Sequence, residues 1–242
     1  MNRQTFRTIF YVILFAVAMG FLESAVVIYL RTIYYPEGFA FPIKLSGQTI
    51  ALTEVLREAA TLVMLFTVSL IADKKGINRF AYFLLAFAVW DIFYYIFLKL
   101  LIHWPASFFT WDILFLIPFI WVGPVLAPII NSITMIIMSM LILWFSNKKV
   151  SVRFRFSEWL FLILGSFFTV VAYILPYVLH MLQRFNINQI FSFYNHKILM
   201  EYTMQFIPYW FNWWLFSFGE LLIFSALILF FKRMLTNLPQ AS

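Results

Sequence analysis

The sequence of 242 residues contains no cysteine. Its absence excludes disulfide bonds, cysteine-ligated iron–sulfur clusters, covalently attached c-type haem and every zinc site built on cysteine. Glycine occurs only seven times and never in a cluster, so the chain has no glycine-rich loop for phosphates or dinucleotides. The HExxH and GxSxG motifs are also absent. The familiar signatures of redox, nucleotide-binding and hydrolytic enzymes are therefore missing.

Charged residues are scarce, at 11% of the chain, whereas soluble domains have about 25%. Hydrophobic residues make up 64%, and the mean hydropathy is +0.92. This composition leaves too little polar surface to cover a water-soluble globule. The chain is therefore expected to be an integral membrane protein with a single transmembrane domain over residues 1–242.

Six apolar runs are long enough to cross a bilayer as helices, since about 20 residues span roughly 30 Å. Backbone groups in lipid must hydrogen-bond internally, which makes these runs helices and the fold class all-α. We predict a polytopic membrane helix bundle with six transmembrane helices. The predicted spans are residues 8–30, 50–72, 80–103, 125–145, 159–182 and 210–231.

The segment 104–124 is apolar but short, and the run is interrupted by Pro118, Pro124 and, just beyond it, Pro128. If it does not cross, 11 of the 17 Lys and Arg residues flank the spans on one side of the membrane. The positive-inside rule then places both termini in the cytoplasm and makes 104–124 a re-entrant or interfacial hairpin. The 11 residues are Arg3, Arg7, Lys74, Lys75, Arg79, Lys148, Lys149, Arg153, Arg155, Lys232 and Arg233.

The basic residues alternate with membrane spans, so we interpret the excess of 17 basic over 10 acidic residues as topology and expect no nucleic-acid partner. The expected location is the bacterial inner membrane. The N-terminal segment resembles a signal peptide ending at Ala18, but its apolar run continues to Leu30, so a retained span is favoured. Residues 186–206 have apolar positions at near-helical spacing and predict an external amphipathic helix.

Charged residues within the spans are the main functional signal, because each costs roughly 3 kcal/mol to place in the bilayer. The acidic ones lie between the external surface and about the middle of the membrane, whereas the inner half is almost purely apolar. The charged residues of the spans and the hairpin are Glu23, Glu54, Arg57, Glu58, Asp91, Lys99, Asp112 and Glu220.

The spacing of these residues predicts shared helix faces. Glu54, Arg57 and Glu58 follow i, i+3, i+4, which places a cation between two carboxylates. Asp91, Tyr95 and Lys99 form a stripe on the third span, where the Tyr94 and Tyr95 hydroxyls could bond the carboxylate.

Two interpretations remain open. Arg57 and Lys99 could neutralise nearby acids and simply lock helices together. However, the spans hold five carboxylates and only these two cations, which leaves three acids without a partner. An unmatched buried carboxylate either binds a proton or meets a cation from outside.

We assign candidate roles on this basis. Glu54, Glu58 and Asp91 are candidate catalytic acid/base groups, and the candidate substrate-binding residues are Glu23, Arg57, Tyr95, Lys99, Asp112 and Glu220. His103 and His180 are candidate metal ligands, which makes a divalent metal a possible cofactor and haem a disfavoured one.

Three functions fit the pattern. The first is the binding or transport of a cation or a proton-coupled small solute through an outward-facing acidic cavity, for which six spans without a repeat would require a homodimer. The second is a membrane-embedded acid–base or metal-dependent enzyme acting on a lipid or lipid-linked substrate from the outer leaflet. The third is a non-catalytic subunit of a respiratory or secretion complex.

Overall fold

Six long helices dominate the computed structural model, which describes residues 1–44, 48–148, 150–190 and 196–238. Each is long and apolar enough to cross a membrane, so the prediction of an all-α, six-span polytopic bundle is confirmed. The chain is a multi-spanning membrane protein. The long helices are α1 (Arg3–Tyr34), α2 (Gln48–Ala72), α3 (Gly76–Ile102), α4 (Leu126–Asn147), α5 (Phe156–Leu182) and α8 (Trp213–Thr236).

The segment between α3 and α4 forms a two-stranded antiparallel hairpin, in agreement with the hairpin predicted at 104–124. Its strands are β1 (Trp111–Phe115) and β2 (Trp121–Pro124), and Asp112 lies opposite Gly123. Strand β2 packs on α5, where a Cβ added to Gly123 would lie 3.2 Å from the Tyr173 ring. Packing on α5 therefore covers part of the non-helical backbone of the hairpin with protein.

The segment 186–206 contains two short helices in the described part of the chain, α6 (Ile187–Ile190) and α7 (His196–Thr203). Residues 191–195 lie outside the described residues. One continuous amphipathic helix across 186–206 therefore stays a prediction.

Side-chain and backbone caps fix the ends of several helices. The Asn2 side chain accepts a hydrogen bond from the Thr5 backbone N–H at 2.8 Å at the start of α1. Asn212 does the same for Leu215 at the start of α8, at 3.0 Å. These caps satisfy backbone donors that a helix leaves unpaired at its N-terminus.

The closest helix crossings occur at small residues. Helix α1 packs on α3 at Gly20, and Ser24 Oγ donates to the backbone oxygens of Gly20 at 2.7 Å and Tyr94 at 3.0 Å. Helix α5 packs on α8 at Gly165 and Gly219, where a Cβ added to either glycine would lie 2.7 Å from the other's carbonyl oxygen. Small residues allow helix backbones to approach closely in membranes. Both crossings lie beside acids of the site, Glu23 on α1 and Glu220 on α8.

Candidate functional site

A cavity of about 660 Å³ lies between the six long helices and the hairpin. Eight of the predicted site residues line it, and so do two cations that were not predicted to lie there, Arg31 and Lys44. The eight predicted residues are Glu23, Glu54, Arg57, Glu58, Asp91, Tyr95, Asp112 and Glu220.

Arg57 joins α2 to α1. Its Nη2 lies 2.8 Å from Glu54 Oε2, and its Nη1 also donates to Glu23 Oε2. The sequence predicted Arg57 between Glu54 and Glu58, whereas the second partner in the structure is Glu23. Neither Glu23 nor Glu54 is therefore free of a cation.

Asp112 on the hairpin is buried and pairs with Arg31 at the end of α1, with 3.1 Å between Oδ1 and Nη2. Burial raises the pKa of the Asp112 carboxyl, and the Arg31 guanidinium opposes that rise. The guanidinium carbon lies 3.7 Å from the Trp104 ring centroid and 4.5 Å from that of Phe39, within cation–π range. Because Arg31 follows the predicted first span, sequence reasoning counted it among the flanking residues and missed this partnership.

Glu58 on α2 contacts the hairpin instead of a cation. The Leu116 backbone N–H donates to both of its carboxylate oxygens, at 3.0 and 2.9 Å. The residue is 9% exposed. This contact ties α2 to the hairpin and leaves the charge of Glu58 uncompensated by an ion pair in the described part of the chain.

Asp91 and Glu220 are held by neutral side chains of α4. Ser132 Oγ donates to Asp91 Oδ2 at 2.7 Å, and Thr134 Oγ1 donates to Glu220 Oε2 at 2.9 Å. The Asn131 amide also donates to Glu220. Tyr94, which was expected to bond Asp91, donates instead to Asp112 at 3.3 Å. Sequence reasoning missed the α4 residues, although polar side chains at 131, 132 and 134 of an apolar span were a usable signal.

Three carboxylates thus line the cavity without a cationic partner among the described residues: Glu58, Asp91 and Glu220. The number equals the predicted surplus. The counter-cations differ from those expected, because Arg31 holds an acid and Lys99 does not.

Three of the predicted residues lie apart from these acids. The Lys99 ammonium donates to the Pro105 carbonyl at 2.9 Å, and the His180 ring stacks on Tyr202 with centroids 4.4 Å apart. Within the described ranges, neither residue lines the cavity, nor does His103. No three His, Asp or Glu side chains of those ranges are grouped as metal ligands. A metal role for His103 and His180 stays a prediction.

Aromatic rings form much of the wall beside the acids. Trp121 and Tyr173 stack with centroids 6.0 Å apart, and Phe87 and Phe115 stack at 6.3 Å. Trp90 meets Phe87 edge-on at 5.2 Å. Ring faces and carboxylates both attract cations, so this surface suits a positively charged group attached to an apolar body.

No protein-family model matches the chain, and neither a curated protein nor a solved structure shows significant similarity to it.

Proposed function

We propose that this cavity binds a solute with a positively charged group and that the protein transports it across the membrane in exchange for protons. The observation that carries the proposal is that Glu58, Asp91 and Glu220 line one cavity from three different helices without a cationic partner among the described residues.

The energetics of a buried carboxylate explain why cation and proton would compete. A charged acid within the membrane is costly unless a cation neutralises it. When the cavity is empty, a bound proton is the simplest way to remove the charge. When a cationic solute enters, the carboxylate can lose that proton and pair with the solute. Asp91 and Glu58 therefore serve in this proposal as proton and cation sites instead of catalytic acids.

A purely structural role would not require these three acids to be charged, because neutral side chains could make the same inter-element hydrogen bonds. Ion pairs already link α1 to α2 through Arg57 and α1 to the hairpin through Arg31. Those pairs account for Glu23, Glu54 and Asp112. Replacing buried polar groups by apolar ones often costs a protein little, so three additional acids without cations need another reason to be there.

The distribution of basic residues supports an orientation for this transport. We propose that both termini are cytoplasmic and that the hairpin lies on the external side of a bacterial inner membrane, because 11 of the 17 basic residues then face the cytoplasm. The carboxylates then open toward the outside. We also propose that residues 1–242 act as one transmembrane domain and that two copies form the working transporter.

Binding of benzyltrimethylammonium to the purified protein in nanodiscs tests the proposal. The control ligand is neopentylbenzene, which has nearly the same shape without the charge. Trp90 and Trp121 line the cavity, so intrinsic tryptophan fluorescence reports occupancy. The variants are Asp91→Asn and Glu220→Gln, and the matched control is Glu37→Gln at an exposed position outside the cavity lining.

We expect the wild type to bind the cation and not the neutral analogue. Asp91→Asn and Glu220→Gln should each weaken binding by about tenfold, the loss expected when a charge-assisted contact of about 1.5 kcal/mol is removed. Glu37→Gln should bind like the wild type. In proteoliposomes, an outward proton gradient should drive uptake of the cation. Equal binding of both ligands, or unchanged binding by both cavity variants, would reject the proposal.

A further inference from the structure

The cavity extends well beyond its acids. On α3, Phe80 precedes Asp91 by eleven residues, which corresponds to about 16 Å along the helix. The residues that line this second part, which we call the apolar arm, are Phe80, Leu84, Met138, Trp159, Leu162 and Ile163. The cavity therefore has a charged half beneath the hairpin and a hydrocarbon-like half at the opposite end of the bundle.

The helix packing leaves one side of the cavity without a tight helix contact. Helix α2 packs on α1 and α3, α3 packs on α4, α4 packs on α8, and α8 packs on α5. Helices α2 and α5 are thus the two ends of this order, and both line the cavity. In the described ranges, α2 and α5 do not pack on each other as the neighbouring helices in this order do.

Two contacts limit this opening at its ends. The Glu58–Leu116 hydrogen bond joins α2 to the hairpin at one end. At the other end, Phe80 on α3, the neighbour of α2, meets Trp159 on α5 with ring centroids 5.7 Å apart. Between them, Ile163 on α5 lines the cavity and is 61% exposed. The opening therefore faces the side of the bundle, where the bilayer would lie.

We propose that the ligand is a single-chain cationic amphiphile, a long-chain amine or quaternary ammonium, which enters sideways from the bilayer between α2 and α5. Its charged head lies at the acids and its hydrocarbon chain lies in the apolar arm. This inference rests on the proposed function for the position of the head. Both halves of the cavity are complementary to such a molecule, in charge at one end and in polarity at the other.

A pair of ligands that differ only in chain length tests the inference. Butyltrimethylammonium and dodecyltrimethylammonium share a head group, so only the second can fill the apolar arm. The test variant is Ile163→Trp, which places an indole in the arm. The matched control is Leu164→Trp, the next residue on α5, which is exposed but does not line the cavity. The long-chain ligand also partitions into the nanodisc lipid. Because that partitioning is the same for every variant, comparing variants in identical nanodiscs removes its contribution to the measured difference in affinity.

We expect Ile163→Trp to weaken dodecyltrimethylammonium binding by about tenfold, because displacing about two methylene groups from apolar contact has that effect. Binding of the butyl ligand should be unchanged, and Leu164→Trp should leave both affinities unchanged. If the butyl ligand binds through Asp91 but Ile163→Trp affects both chain lengths equally, the inference fails and the proposed function stands. If neither cation binds, both fail.

Photolabelling provides a second measurement that needs no variant. A dodecyltrimethylammonium analogue with a diazirine at the chain terminus should label peptides containing Leu84 or Trp159, and excess butyltrimethylammonium should reduce this labelling. Labelling confined to residues outside the cavity lining, such as Leu164 and Phe167, would overturn the inference.

Discussion

The acids at this site differ in whether their partner is a cation or a neutral hydrogen-bond donor. Arg57 holds Glu23 and Glu54, and Arg31 holds Asp112. Glu58 is held by a backbone N–H. Asp91 and Glu220 are held by hydroxyl and amide groups, which stabilise a carboxylate without cancelling its charge. This difference separates the acids that have a cationic partner in the fold from the three that we propose accept a cation from a ligand.

Replacing Arg31 should destabilise the protein strongly. Arg31→Gln leaves the buried Asp112 carboxylate without its cation, and breaking one side of a buried pair costs about 3 kcal/mol or more. The double variant Arg31→Gln/Asp112→Asn should recover at least half of the loss. Unfolding in SDS titrations measures both effects. A double variant as unstable as the single one would contradict the assignment of Arg31 as the partner of Asp112.

Replacing Arg57 should strengthen ligand binding, whereas replacing Asp91 or Glu220 should weaken it. Arg57→Gln frees Glu23 and Glu54, which both line the cavity, so an external cation gains two more acceptors. We expect benzyltrimethylammonium to bind about threefold more tightly, equivalent to about 0.7 kcal/mol for a partly exposed charge. The control is Arg184→Gln at an exposed position outside the cavity. Weaker binding by Arg57→Gln would show that Arg57 does not compete with the ligand.

The position of Glu220 depends on how closely α5 and α8 cross. Gly219 immediately precedes Glu220, and its carbonyl oxygen lies 2.7 Å from the place where a Gly165 Cβ would be. A larger residue at either glycine must separate the helices. Glu220 would then move away from Asn131 and Thr134 on α4.

Gly165→Ala should therefore reduce both stability and cation binding. The added Cβ would lie 2.6 Å from Ile223 Cγ1, and overpacking of this kind costs about 1–3 kcal/mol. Gly76→Ala is the control, because nothing lies within 4 Å of a Cβ added there. Thermal unfolding and fluorescence binding measure the two effects. Equal stability of both alanine variants would contradict the close crossing.

The elements were largely predictable from the sequence, whereas the partners within the site were not. Apolar run length and the positions of Lys and Arg depend on the bilayer, which acts on every span in the same way, so six helices and a hairpin followed from them. Side-chain partnerships depend on which helices are neighbours. Arg31 near the end of α1 reaches Asp112 on the hairpin, and Ser132 reaches Asp91 because α4 packs on α3. Spacing along one helix could not show either contact.

At the scale of the whole molecule, the proposed orientation decides which side supplies the ligand. Because the chain has no cysteine, single cysteines can be introduced and labelled without background. We expect a membrane-impermeant maleimide to label Ser107→Cys in intact cells and Ser151→Cys only after the membrane is permeabilised. Both serines are exposed, one before the hairpin and the other between α4 and α5. The reverse pattern would place the acids toward the cytoplasm.

If the acids without cations receive a cation from outside, that cation should protect them from modification by a carbodiimide. Dicyclohexylcarbodiimide reacts with protonated carboxyl groups in apolar surroundings, and mass spectrometry locates the modified residue. We expect labelling at one or more of Glu58, Asp91 and Glu220 that benzyltrimethylammonium suppresses and neopentylbenzene does not. If the cation leaves the labelling of these residues unchanged, the acids do not pair with an external cation.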